Sequence, residues 1–337
     1  MKLLTTSAPH VRNEDSTRKI MIDVLIALVP AVIGATYFFG LYALVLSVIG
    51  MVSAELIELF IMRVLRKDKS FAPNGSAAVT GLLLALNVSA ATPWWVLLIG
   101  VVFAIAIVKH AFGGLGQNIF NPALAARVFL LISFPTAMTT WYKPITSFTG
   151  WYSADVQTTA TPLAILKLQG FSKVMESTSY IDLIFGNIGG CIGETSAILL
   201  LIGFIYLYLP LLLIGFIYLV LRGRIKVVIP ATYILTVLVM ASIFYAINPE
   251  KFGSPVFHLF AGGLMLGALF MATDMVTSPM TLKGQAIFGL GCGLLTMIIR
   301  YFGGYPEGVS LSILLMNALV PMIDRYTQPK IFGRRKS

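Results

Sequence analysis

Charge is what this chain has least of. Asp, Glu, Lys and Arg make up 11% of its 337 residues and hydrophobic residues 58%, whereas a soluble domain carries roughly 25% charged residues. That excludes an ordinary soluble globule, and a mean hydropathy of +0.89 points to a polytopic membrane protein. Cysteine is nearly absent. Cys191 and Cys292, both in apolar surroundings, cannot by themselves build a disulfide framework or a four-ligand metal site, and they read as small buried hydrophobes. The three histidines, His10, His110 and His258, have no ligand spacing. A cleavable signal is also missing, because the first 19 residues are polar and the first apolar run is too long for an h-region. The net charge of +10 raises the question of nucleic acid, but the basic residues lie between apolar runs, where the positive-inside rule accounts for them.

Long apolar runs are what the chain has most of. Met21 to Phe39, Leu41 to Leu65 and Val227 to Ile247 each reach the ~20 residues that cross a hydrocarbon core as helix. Read in order, the chain predicts ten spans, at about 20–39, 41–65, 75–91, a fourth from Trp94 to Lys109, then 122–135, 186–221, 227–247, 255–276, 284–302 and 308–323. Both termini are then cytoplasmic, and 18 of the 24 Lys and Arg residues fall in or beside inner loops. The sixth region is too long for one ordinary span and holds a tandem duplication, Leu199–Leu207 recurring as Leu211–Leu219. It is expected to cross once, bent near Pro210. Glu55 and Glu58 lie in span 2, where pairing with Arg63 at the interface competes with a functional role.

Polar breaks interrupt this pattern at Asn87 to Pro93, Gly113 to Pro122, Gly193 to Ser196 and Thr273 to Pro279. Gly81–Pro93 aligns without gaps to Gly267–Pro279, so the chain is expected to contain two five-helix repeats, necessarily inverted, with polar sites on broken helices at their interface. The expected division is residues 1–135, a long outer loop 136–182, and 183–337. In that loop, Asp155-Val156-Gln157-Thr158-Thr159-Ala160-Thr161-Pro162-Leu163 reads as an N-cap at Thr161, a proline at the first helical position and a short helix to Gln169. A helix N-terminus is also a ready site for an anion such as phosphate.

Several motifs together resemble one family. Ser7-Ala8-Pro9-His10, Phe120-Asn121-Pro122 through Arg127, the Asp155 to Leu163 stretch, Gly193-Glu194-Thr195-Ser196, Thr273-Asp274 with Thr277-Ser278-Pro279, and Tyr305-Pro306-Glu307-Gly308-Val309 with Asn317 and Pro321 resemble the NqrB/RnfD family. That family comprises the D-type subunit of the ion-translocating ferredoxin:NAD oxidoreductase (Rnf) complex and the B-type subunit of the sodium-translocating NADH:quinone reductase. The short stretch before the first span favours the Rnf-type protein. The resemblance covers nearly the whole chain.

In that family the last threonine of D-x-x-[ST]-x-A-T carries FMN through a phosphoester, which implies covalent FMN on Thr161 with Asp155 and Thr158 in the signature. Thr159 stands where family members often have glycine, and the duplication is a second departure. The resemblance further implies a second, non-covalent flavin or riboflavin near the broken helices, electron transfer with the other Rnf subunits (A, B, C, E and G types), and coupling to Na⁺ or H⁺ movement. Asn118 and Asn121 are candidates to bond a flavin ring or to cap span 5, Arg127 to pair internally or with a flavin phosphate, and Glu194 and Asp274 to couple ring charge to a cation or to serve as caps. The competing class is a channel or permease without redox chemistry, with the urea-channel-like fold that the inverted repeat shares.

Overall fold

The computed structural model describes residues 16–144, 158–185, 188–193 and 227–328. Helix α1 (Thr17–Phe39) starts at Ser16, whose side chain accepts from the Lys19 N–H, the N-cap bond that helix starts require. Its Ile22, Ile26, Val29 and Ile33 recur at helical spacing and are about half exposed, the stripe expected of a lipid-facing surface. Gly40, at φ 73°, turns the chain in one residue, which glycine does without steric cost. α2 (Leu41–Leu65) follows, then α3 (Ser76–Leu86), α4 (Trp94–His110) and α5 (Pro122–Ser133). The last turns of α2 and the second half of α4 open into wider π-helical geometry, which recurs at functional sites. After α5, the short α6 (Pro162–Gln169) carries the threonine motif. The rest comprises α7 (Val228–Ile247), α8 (Pro255–Phe260), α9 (Leu264–Met271), α10 (Leu282–Phe302) and α11 (Val309–Thr327), with small helices at Pro135–Thr139, Phe171–Ser177, Tyr180–Phe185 and Pro249–Phe252.

Among the described residues there are no strands, only two isolated bridges. Five helices, α1, α2, α7, α10 and α11, are long and apolar enough to cross a membrane, and a sixth span is available if Pro249–Phe260 and Leu264–Met271, bent by 48°, count as one. One expectation needs correction. The run 255–276, expected as one span, is broken after Phe260, with Gly262 at φ 71°. The carbonyls freed there are met by Arg300, whose Nη1 donates to His258 O at 2.7 Å and Nη2 to Ala261 O at 2.9 Å, as non-helical backbone inside a membrane protein requires. The short third span, expected to end in the break Asn87 to Pro93, has its helix end at Leu86 with Asn87 as its cap. Residues 194–221 of span 6, with the duplication, lie outside the described residues.

Small residues set the helix spacing. A Cβ on Gly50 of α2 would lie 2.6 Å from the Gly81 carbonyl oxygen of α3, and one on Gly293 of α10 would lie 2.6 Å from Thr236 Cβ of α7. Such contacts replace the hydrophobic drive that helices lack against lipid. The end of α3 is met by the segment around Cys191. Ile192 N–H donates to Val88 O at 2.9 Å and Gly193 N–H to Leu86 O at 2.7 Å, so the broken helix leaves these carbonyls satisfied. A second, smaller core of Leu163, Leu166, Val174, Leu183, Ile188, Phe257 and Ala261 fixes α6 against α8.

Candidate functional site

Thr161 is where the sequence led, and it is buried, 5% exposed. Its Oγ1 accepts from Ala164 N–H at 3.2 Å and Pro162 takes the first helical position, so the expected cap is present. The preceding residues are pinned from the other side. Thr159 N–H donates to Trp141 O at 3.0 Å, and Thr158, exposed, forms a bridge to Tyr142. The Thr159 hydroxyl packs against Gly189, where a Cβ would collide with it; it is buried without a hydrogen-bond partner.

Beside Thr161 opens a cavity of about 360 Å³. Its walls combine Val128, Leu131 and Met138 with Trp141 and Tyr305, and its polar groups come from Thr159, Thr161, Arg127, Glu307 and Ser310. This volume lies within the roughly 300–1,000 Å³ of small-molecule pockets, which pair an apolar lining with a few placed polar groups.

Arg127, on α5, reaches the wall of this cavity from the interior. Its guanidinium pairs with Glu307 and donates to Ser310 Oγ at 2.8 Å, Asn87 Oδ1 at 3.1 Å and Cys191 Sγ at 3.1 Å. The internal pairing that the sequence allowed is therefore present. Asn87 in turn donates to Leu83 O at 2.7 Å and to Met271 Sδ at 3.3 Å. Asn121 donates to Met271 O at 3.2 Å while its Oδ1 caps α5 through Ala123 and Leu124 N–H. The ends of α3 and α9, the two stretches that aligned in sequence, thus meet through Asn87 and Met271.

At the start of α5 lies a second cavity of about 110 Å³, lined by Asn118, Asn121, Lys109, Thr273, Asp274 and apolar residues of α1 and α3. Asn118 Nδ2 donates to Phe120 O at 3.1 Å, while its Oδ1 is buried without a partner. Asp274 accepts from Thr277 Oγ1 at 3.0 Å and from Val276 N–H at 3.4 Å, the role of a local cap. With its amide turned so that oxygen faces the Asn121 N–H, Asn317 accepts from it at 3.1 Å and donates to Thr277 O at 3.2 Å. Six of the predicted residues thus divide between two cavities, Thr159, Thr161 and Arg127 at the larger and Asn118, Asn121 and Asp274 at the smaller. Asp155 and Glu194 lie outside the described residues.

Sequence reading missed two features. Glu307 was legible only as part of a motif, since nothing local ties it to an arginine 180 residues away. Glu58 does not pair with Arg63. It is 2% exposed, and its Oε1 takes Lys109 Nζ at 2.7 Å with His110 Nε2 at 3.2 Å, while Lys109 also donates to Ser76 Oγ at 2.6 Å. Arg63 instead reaches toward Phe71 O, and Glu55 accepts from Ala78 N–H at 3.2 Å in the first turn of α3. The signal was present as acid on α2 and base at the end of α4, but several basic residues were equally placed by sequence.

Known proteins share this chain's pattern from end to end. The model of the NQR2, RnfD, RnfE family matches residues 4–210 and 208–333, and the two matches overlap inside the span 6 region that carries the duplication. The D-type subunit of the Na(+)-translocating ferredoxin:NAD(+) oxidoreductase complex of Acetobacterium woodii is 48% identical over 339 residues, covering 100% of this chain and 97% of that protein. Its counterpart in the Proton-translocating ferredoxin:NAD(+) oxidoreductase complex of Clostridium ljungdahlii is 47% identical over 98% of this chain and 96% of its own. The D-type subunit of the Ion-translocating oxidoreductase complex of Stutzerimonas stutzeri is 39% identical over 95% and 93%. Near-equal identity to a sodium-type and a proton-type relative means that overall similarity does not separate the two ions. This chain belongs to the NQR2, RnfD, RnfE family.

Proposed function

We propose that this protein is the D-type membrane subunit of an Rnf-type ion-translocating ferredoxin:NAD oxidoreductase, carrying FMN as a phosphoester on Thr161. Electrons pass through it between the other subunits of the complex, coupled to Na⁺ or H⁺ translocation. The single observation that carries the flavin reading is the 360 Å³ cavity beside the buried Thr161 hydroxyl. An ester phosphate on Thr161 would sit at the N-terminus of α6, where the helix dipole favours it. Trp141, Tyr305 and the apolar residues of α5 suit a flat ring, and the unpartnered Thr159 hydroxyl offers its edge a hydrogen bond. When bound, the flavin supplies electron-transfer chemistry; the chain's residues fix its position and set its electrostatics.

A second, non-covalent flavin, riboflavin or FMN, is proposed at the cavity of Asn118, Asn121 and Asp274. The buried Asn118 Oδ1 without a partner supports it. At about 110 Å³ this cavity can enclose part of such a ligand, since whole small molecules occupy roughly 300 Å³ or more. Asp274, which faces this cavity, is the proposed link between ring charge and the cation, together with Glu194.

The finer architecture is ten membrane helices in two inverted repeats, 1–135 and 183–337, joined by an outer loop 136–182, with both termini cytoplasmic. Support comes from the spacing of elements. Helices α2 to α5 begin at residues 41, 76, 94 and 122, while α7, α9, α10 and α11 begin at 228, 264, 282 and 309, a near-constant offset of 187–188 residues.

A denaturing gel viewed under ultraviolet light tests the assignment against the channel reading. A fluorescent band that is lost in Thr161→Ala and kept in Thr159→Ala is expected; a dark wild-type band sinks the flavin reading. The proteins that co-purify decide between the Rnf complex and the quinone reductase.

A further inference from the structure

We propose that the buried Arg127–Glu307 pair sets the redox potential of the ring held at Thr161, its two charges pulling the potential in opposite directions. The proposal rests on the flavin reading above and deepens it. Both residues line the same cavity as Thr161, and both side chains are largely buried, 8% and 16% exposed for arginine and glutamate. The carboxylate is the more open of the two to the cavity.

Arg127 is held in place. Asn87, Ser310 and Cys191 accept from it at 2.8–3.1 Å, so its charge stays fixed at the inner wall. Glu307 sits in a loop closed by Gly308, at φ 68°. Its backbone oxygen accepts from Arg300 Nε at 3.2 Å, so the loop is anchored as well. The two charges are therefore built into the wall, not mobile surface groups screened by salt.

Each electron that reaches the ring from a low-potential one-electron donor adds one negative charge there until a proton follows, and the charge is removed when the electron passes to the acceptor. In a low-dielectric wall, a neighbouring fixed charge acts on that added electron far more strongly than in water. Arg127 favours the reduced ring and Glu307 opposes it. With both present their effects on the ring oppose each other, so removing either charge shifts the potential in the direction of the one that remains. Asn87 and Met271 continue the contact from Arg127 to Asn121 at the second cavity.

The test is a potentiometric titration of the covalent flavin in the intact complex, reduced with dithionite and followed by flavin absorbance, after in-gel fluorescence has established that the flavin is attached. Glu307→Gln is expected to raise the potential and Arg127→Gln to lower it. Each should shift the reduction equilibrium by about tenfold, ~59 mV for one electron. The double variant Arg127→Gln/Glu307→Gln should return towards wild type, and Arg127→Lys and Glu307→Asp, which keep both charges, should stay close to it and serve where a single neutralisation fails to assemble. Shifts of the same sign, or no shift in fluorescent variants, overturn the role of the pair while leaving the flavin on Thr161. A dark wild-type band removes both.

Discussion

The cavity beside Thr161 and the cavity at the start of α5 differ in their lining and in what they can hold. The one beside Thr161 measures about 360 Å³, is walled by aromatic and apolar side chains, and has a buried hydroxyl at a helix start. The one at the start of α5 measures about 110 Å³ and is bordered by amides, a carboxylate and Lys109. A hydroxyl at a helix N-terminus suits a phosphoester tether, while amides and a carboxylate offer reversible hydrogen bonds. This difference is the basis on which we propose a covalent cofactor at one and a dissociable ligand at the other. Arg127 lines the larger cavity and bonds Asn87, which leads through Met271 toward the smaller.

The sharpest way to break this contrast is at the tether. Thr161→Ala should abolish covalent flavin altogether, while non-covalent flavin released on denaturation stays. The same substitution removes the cap of α6, so about 1 kcal/mol of local stability is lost as well. Next in size, Asn118→Ala and Asp274→Ala should lower non-covalent flavin about tenfold, as loss of one good polar contact of ~1.4 kcal/mol would. Covalent fluorescence should be unchanged. Flavin analysis of the acid-released and protein-bound fractions reads both, and parallel loss of the two fractions would contradict separate sites.

The scaffold is probed by stability and not by flavin content. Lys109→Met leaves the Glu58 carboxylate buried without its ammonium partner and is expected to cost about 3–5 kcal/mol. Glu58→Gln/Lys109→Met should recover much of this, as read by thermal unfolding in detergent. The smallest contrast is between the aligned glycines. A Cβ on Gly81 would meet the Gly50 carbonyl of the backbone, whereas one on Gly267 would meet the Val309 side chain, which can turn aside. Both alanine variants should fall within the roughly 1–3 kcal/mol of overpacking, with Gly81→Ala the more destabilising in the same assay.

How much of this could be read from the sequence follows from which forces are local. Long apolar runs gave α1, α2, α7, α10 and α11, because spanning length and burial of backbone polar groups are properties of a single segment. The cap at Thr161 was legible because Thr-Pro fixes both the acceptor and the backbone angle. The break after Phe260 was hidden inside an apolar run. Glycines occur freely in membrane helices, and the arginine that satisfies the break lies 39 residues further on. Lys109 rather than Arg63 pairs with Glu58 because α2 and α4 pack face to face there, a choice that depends on two helices at once. The meeting of Arg127 with Glu307 depends on three, and only their presence in separate motifs was visible.

The most direct measurement of the central claim is mass spectrometry of the peptide containing Thr161, taken from the natively assembled complex. A peptide carrying FMN on Thr161, with Thr158 and Thr159 unmodified, is the expected result. An unmodified peptide, or FMN on Thr159, would contradict it.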